Sequence, residues 1–344
     1  MNKRNKKIIG YASLAIVLLI VIVGALLYKK VFAPFVDSQQ TVYVYIDDSK
    51  NYSDLLVQLQ EKANIKDVEL FKTMSKAAKY PEKMKTGRYA VHNNMSCMEL
   101  LKMLMNGIQS PCKITFNNMR LKEDLVERVG SQMMFEAGAL FQQLDSPELC
   151  SQYGFDKNTI ACMFMPDTYE IYWNTTVDNF LQRMKKEYYN FWTDDRMALA
   201  KEIRLSPIEV SILASIVEEE TAARSEYPIV AGLYINRLHK GMLLQADPTV
   251  KYAHGDFALK RILFAHLEID SPYNTYKNLG LPPGPIRIPS KRGIDAVLNY
   301  TKHQYIYMCA KEDFSGKHNF AQNMSEHSRN AAKYRAALNK NNIK

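Results

Sequence analysis

The sequence predicts an α+β protein in three parts: an N-terminal transmembrane helix, a small α+β module, and a larger, mainly helical domain with irregular loops that line a cleft. Three observations predict it. Residues 8–28 are uncharged for 21 positions and rich in Leu, Ile and Val. Residues 41–115 mix strand-like and short helix-like segments, and from Leu121 onward apolar residues recur at helical intervals, interrupted by Pro, Gly and aromatic turns. At 344 residues with 47% hydrophobic content the chain can bury more than one core, so about two soluble domains are expected besides the first helix.

The first apolar run is long enough to cross a bilayer core of ~30 Å as a helix. It exceeds the ~7–15 residues of a signal-peptide core and has no small-x-small cleavage site before Lys29, which favours a retained anchor. Lys3, Arg4, Lys6 and Lys7 precede it and Lys29 and Lys30 follow, which assigns the N-terminus to the cytoplasm and the bulk of the chain to the other side. The net charge is +9, but six basic and no acidic residues fall within 1–30, leaving only +3 for 31–344. The basicity is therefore mostly a topology signal, and no nucleic-acid partner is expected. The expected ranges are a basic tip and anchor over 1–30, a linker over 31–40, an α+β module over 41–115 and the larger domain over 116–344.

Within the module, residues 41–46 alternate aromatic and β-branched side chains and predict a strand. Leu55, Leu56 and Leu59 mark a helix over 53–62, and residues 68–74 suggest a second. A turn at Lys85-Thr86-Gly87 leads into a strand through residue 92, and Ser96 opens a helix that runs to Asn106-Gly107. Further on, Leu125, Val126 and Val129, then Phe180, Leu181, Met184, Tyr188 and Phe191, keep helical spacing around an aromatic turn and strand at 164–173.

A helix also begins at Ser206, where an N-cap serine, Pro207 at the first helical position and Glu209 three residues after the cap make a capping box. At ~100° per residue its Ile212, Leu213, Ile216 and Val217 define an apolar stripe, with Glu220 near the middle and Glu218 on the opposite face. A carboxyl against apolar surface has its pKa raised by desolvation, as a general acid near neutral pH requires. Three glutamates at a helix C-terminus, unfavourable to the dipole and to one another, push the same way. The plainer alternatives are a solvated acid at a frayed end, or one paired with Arg224 or Arg237.

Downstream come three loop segments: Gln245-Ala246-Asp247-Pro248-Thr249, Ser271-Pro272-Tyr273-Asn274-Thr275-Tyr276, and Gly280-Leu281-Pro282-Pro283-Gly284-Pro285-Ile286. Tyrosines interleaved with Asn, Gln and Thr suit a sugar, whose C–H faces stack on rings while its hydroxyls exchange hydrogen bonds. Such loops are also ordinary in globular proteins. The seven histidines form no HExxH, and the five cysteines no CxxC, so neither metal nor other cofactor is expected. An oxidising compartment would permit a disulfide among Cys97, Cys112, Cys150, Cys162 and Cys309 without fixing its connectivity. The nucleotide loops GxGxxG and GxxxxGK[ST] and the GxSxG elbow do not occur.

These segments together resemble the endolytic murein transglycosylase (YceG-like) family. The carriers are Ala214-Ser215-Ile216-Val217-Glu218-Glu219-Glu220-Thr221, Tyr234-Ile235-Asn236-Arg237-Leu238 with Gly241-Met242, Leu244-Gln245-Ala246-Asp247-Pro248-Thr249-Val250, Tyr273-Asn274-Thr275-Tyr276, the Gly280 to Ile286 segment, and His318-Asn319-Phe320. The resemblance implies an inner-membrane helix, a LysM-like module around Lys85-Thr86-Gly87-Arg88-Tyr89, and a single-pass protein whose catalytic domain is periplasmic or extracytoplasmic. It also implies cleavage of the MurNAc-β-1,4-GlcNAc bond of nascent peptidoglycan to 1,6-anhydro ends, ending strand elongation. Peptidoglycan synthases of the penicillin-binding class would be partners.

Glu220 would be the catalytic acid, with Thr221 resembling the serine that follows the acid in other lytic transglycosylases. Gln245, Asp247, Thr249, Tyr273, Asn274 and Tyr276 would bind substrate, with Glu218, Thr221, Asn236 and Arg237 in support. Two positions depart from the family pattern: Glu219 stands where a basic residue is frequent, and residues 287–290 replace a proline-glycine ending. A hydrolase would typically need a second carboxylate, for which Asp247 and Asp167 are candidates. A non-catalytic peptidoglycan-binding scaffold is the remaining alternative.

Overall fold

The computed structural model describes residues 3–117, 119–259 and 262–341, with side chains from residue 10 onward. Residues 1, 2, 118, 260, 261 and 342–344, which the expected ranges 1–30 and 116–344 include, lie outside the described residues, as do the side chains of Lys3, Arg4, Lys6 and Lys7. Helix α1 (Lys3–Phe32) contains a segment, Gly10–Phe32, long and apolar enough to cross a membrane, and none of that segment's apolar window is buried. The chain divides into two compact units, one of residues 1–113 and 170–175, the other of residues 114–169 and 176–344.

In the first unit, β1 (Val42–Ile46) is followed by α2 (Tyr52–Glu61), α3 (Val68–Ala77), β2 (Gly87–Val91) and α4 (Cys97–Asn106). The two strands pair antiparallel, Val42 opposite Val91 and Ile46 opposite Gly87. Alternation turns Val44 and Tyr89 into the core, where they meet Leu55 and Leu59 of α2, Phe71 of α3, and Leu100 and Leu104 of α4. Helix α4 starts where Ser96 and Glu99 exchange capping bonds and stops at Gly107, which takes the left-handed conformation at φ 71° that costs other residues dearly. The segment 31–40, expected to be a linker, is part of this packing: Phe35 and Val36 are core residues, and Lys66 donates its backbone N–H to the carbonyl of Phe35. Residues 170–175 also join the unit, with the Trp173 ring 5.0 Å from Tyr45 and Asn174 donating to the Thr86 carbonyl.

After β3 (Cys112–Phe116), the chain continues through α5 (Lys122–Gly130), α6 (Ala137–Asp145), α7 (Pro147–Tyr153), β4 (Asp167–Ile171), α8 (Val177–Phe191) and α9 (Asp194–Glu202). Then come α10 (Pro207–Glu220), α11 (Tyr227–His239), α12 (Asp247–His254), α13 (Lys291–Leu298), β5 (Tyr307–Ala310), β6 (His318–Ala321) and α14 (Met324–Lys340). Strands β3 and β4 form a two-stranded ribbon, and β5 and β6 an antiparallel hairpin against which α14 packs. The described residues of 245–290 hold little regular structure besides α12, in keeping with the proline and glycine content of that stretch. All five cysteines are free.

Helix α10 is the axis of the second unit. Ser206, Pro207 and Glu209 form its capping box, with the Ser206 N–H 2.7 Å from the Glu209 carboxylate. Helices α9, α11, α12 and α13 pack around it, and every residue from Val210 to Glu218 is buried. The apolar stripe read from the sequence is thus one part of a helix enclosed on all sides, so helical phase alone does not expose Glu218.

Candidate functional site

The three glutamates at the end of α10 meet three different fates. Glu218 is buried, accepts the backbone N–H and hydroxyl of Ser290 at the start of α13, and lies 3.5 Å from the Arg287 guanidinium. Gly293 makes room for it, because a Cβ there would sit 2.5 Å from Glu218 Oε1. Glu219 is held between Arg120 at 2.7 Å and Arg287 at 2.9 Å. Glu220 has no ion pair among the described residues, neither with Arg224 nor with Arg237, and its Oε2 is sealed from solvent without a hydrogen-bond partner. The residue is nonetheless partly exposed, so its accessible surface lies on other atoms.

That isolation sets its chemistry. Burial raises the Glu220 pKa to about 7, and the negative charge of Asp247 adds to the rise. The Tyr234 hydroxyl and the positive charges of Arg237 and Lys251 pull the other way. Tyr234 is 1% exposed on α11, and its own pKa lies well above the ordinary value, mainly from burial, so it remains a donor. A carboxyl with a pKa near neutrality can give up a proton and take one back in the same cycle.

The loops that face this carboxyl are tied to each other. Gln245, in the left-handed region at φ 51°, donates its backbone N–H to the Thr275 carbonyl. The Ala246 N–H donates to the Thr275 hydroxyl, which is 2.8 Å from that of Thr249. Tyr276 donates to Asp247 at 2.5 Å, placing its ring beside the charge that acts on Glu220. Asn274 is fully buried, donating to the carbonyls of Leu267 and Ile269 and accepting from the Tyr276 N–H. Asn274 and Thr249 therefore shape the loop from inside, and Gln245, Asp247, Tyr273 and Tyr276 are the exposed or half-exposed members of the predicted set.

Of the residues expected in support, Arg237 and Asn236 bind backbone carbonyls, whereas Thr221 meets a side chain. Arg237 donates to the carbonyls of Ile306, Leu243 and Leu244, tying the Gln245 loop to the approach to β5. Asn236 donates to the carbonyls of His303 and Tyr305. Thr221, extended just past the helix, donates to Glu226, which also accepts the backbone N–H and the ring nitrogen of His318. The other candidate second acid, Asp167, is paired with Lys291 of α13, the helix whose start holds Glu218.

Sequence reasoning missed Tyr234, Arg120, Lys251 and Arg287 as parts of the site. Tyr234 carried one signal, a hydroxyl within an otherwise apolar helical run; the others are surface-type residues whose partners lie far along the chain. The Glu219 acid is neutralised by Arg287, the first residue of the segment 287–290. Among the described residues no cluster of His, Cys, Asp and Glu could hold a metal ion.

A sequence model of the YceG-like family matches residues 44–333. The chain is 29% identical over 338 residues to an endolytic murein transglycosylase of Bacillus subtilis, covering 93% of this chain and 92% of that protein. It is 27% identical over 337 residues to the endolytic murein transglycosylase of Streptococcus pneumoniae, covering 87% of this chain but 59% of that longer protein. A crystal structure of a yceG-like protein from Listeria monocytogenes superposes with a TM-score of 0.55 at 25% identity, over 85% of this chain and 99% of the other.

Proposed function

The chain belongs to the YceG-like family, and from that premise we propose that it is a membrane-anchored endolytic lytic transglycosylase, cutting the MurNAc-β-1,4-GlcNAc bond within nascent glycan strands and so ending their elongation. The observation that carries this is a single unpaired carboxyl, Glu220, half-protonated near pH 7 while both neighbouring glutamates are neutralised elsewhere. Protonated Glu220 donates to the glycosidic oxygen as the bond breaks. The resulting carboxylate accepts the proton of the sugar's own C6 hydroxyl, whose oxygen closes on C1 to give the 1,6-anhydro end. Gln245, Tyr273 and Tyr276 border the sugar, and Tyr234 orients the acid. The apolar N-terminal helix, with basic residues at its start, supports a membrane-anchored reading in which this domain works outside the cytoplasmic membrane, on growing strands and beside penicillin-binding synthases. Two antiparallel strands enclosing two helices in the first unit support a LysM-like, glycan-holding module.

Asp247 is the observation that favours a second chemistry, hydrolysis by a muramidase, because its carboxylate is exposed and close enough to act on Glu220. Mass spectrometry of glycan strands digested by the full chain separates the two. Anhydro ends are expected; predominantly reducing ends would establish the hydrolase, and no cleavage by the intact protein would leave a binding scaffold.

The pH dependence has a definite sign. Loss of the proton from Glu220 removes the acid, so kcat should fall as pH rises through about 7. Asp247→Asn removes a charge that raises the Glu220 pKa, so the alkaline limb of the pH–kcat profile should move to lower pH. An unmoved limb would show that Asp247 does not tune the acid.

A further inference from the structure

Away from Glu220 the loops enclose space that the cleavage chemistry leaves without a task. Lys251, whose charge acts on Glu220, lines a small recess together with Arg120, Glu219 and Tyr252. Arg120 and Tyr252 are also walls of a neighbouring cavity of about 270 Å³, completed by Lys122, Asp145, Lys157, Tyr273 and Arg287 among others. These residues come from chain segments far apart in sequence, and they bring four cations to one concavity. Three have anionic partners: Arg120 and Arg287 hold Glu219, and Lys122 lies 3.0 Å from Asp145. Lys157 is exposed and has no ion-pair partner within 4 Å among the described residues. The Tyr252 and Tyr273 rings, 4.8 Å apart, supply an aromatic wall beside the charges.

We propose that this cavity is a subsite for the carboxylate-bearing peptide stem of the glycan, with Lys157 the free cation that engages a stem carboxylate, so that stem-bearing strands are the favoured substrate. The inference rests on the peptidoglycan reading above. A peptide suits the cavity better than a phosphate does. Glu123 and Asp145 share the wall and would repel a dianion, whereas a stem carries singly charged carboxylates separated by N–H donors that acidic side chains accept. The shared walls also join the subsite to the recess lined by Glu219 and Lys251, at the end of α10 that carries Glu220.

The test uses the full chain carrying Glu220→Gln, so that binding is measured without turnover, with two probes: a disaccharide bearing its peptide stem and the same disaccharide with the stem removed. The stem should tighten binding by about fivefold or more, the scale of one partly exposed charge-assisted contact. Adding Lys157→Glu should abolish most of that gain, and Lys157→Arg, which keeps the charge, should retain it. Because Lys157 is exposed and makes no side-chain hydrogen bond or ion pair among the described residues, neither variant threatens folding. Equal binding of the two probes, or a stem preference that survives Lys157→Glu, would overturn the subsite. Failure of the cleavage assignment shows separately, as absence of anhydro ends when the unmodified chain digests either stemmed or stripped strands.

Discussion

Glu220→Gln is expected to lower glycan cleavage by about 10²- to 10⁴-fold, the range associated with a positioned general acid or base, and at the same time to make the folded chain more stable above pH 7. The two effects share one cause. In the folded protein Glu220 has a pKa of about 7, against 4.5 for an unperturbed glutamate, so the folded state holds the proton more tightly than the unfolded state. The stability this carboxyl lends is therefore full below pH ~4.5 and is lost as pH rises toward about 7, by at most on the order of 3 kcal/mol. Glutamine keeps the shape without an ionisable proton, so the variant escapes that loss. Cleavage assays with urea unfolding at pH 5 and pH 8 test both effects. Equal cleavage by variant and unmodified chain would remove Glu220 from the chemistry, and a variant less stable at pH 8 would mean the carboxylate is structural.

Arg237→Ala should be the most destabilising substitution in the site, by about 3 kcal/mol or more, because it strips a charged donor from several carbonyls at once and leaves a cavity. Arg237 is 7% exposed, lies 2.6 Å from the Ile306 carbonyl and 2.7 Å from that of Leu244, and sits over the Tyr307 ring. Its loss frees the segment that carries Gln245 and Asp247 from the approach to β5, so activity should fall with stability. Arg237→Lys, with one compact ammonium in place of a planar fork, should recover only part of either. The change in unfolding free energy decides the matter, and an Arg237→Ala chain as stable as the unmodified one would show that the loop stands without this anchor.

Much of the fold was legible because its signals are local. Capping at Ser96 and Ser206, the alternation of residues 42–46, and the apolar run of α1 depend on neighbours within a few positions, and each element appears where those patterns place it. The packing of Phe35 and Val36 into the first unit was not legible, since two apolar residues in an irregular stretch carry no periodicity. In the site, the tyrosines and polar residues of the loops were visible as types, but their directions were not. Asn274 and Gln245 read alike in sequence, yet one is fully buried among carbonyls and the other is exposed.

The glutamates at the end of α10 draw the line most sharply. By itself the sequence determined that a capped apolar helix ends in three acids, and that desolvation and mutual repulsion must raise at least one pKa. It also singled out Glu220 from the phase of the stripe. Only the tertiary structure decided why that residue differs. Helix α10 is buried on every side, so phase does not separate Glu218 from Glu220. What separates them is partners: Ser290 and Arg287 meet Glu218, Arg120 and Arg287 meet Glu219, and Glu220 meets the Tyr234 hydroxyl and the negative charge of Asp247. Those partners come from α11, α12 and the segments before α5 and α13. The charge state of a buried carboxyl is set by what surrounds it in space, which helical periodicity does not encode.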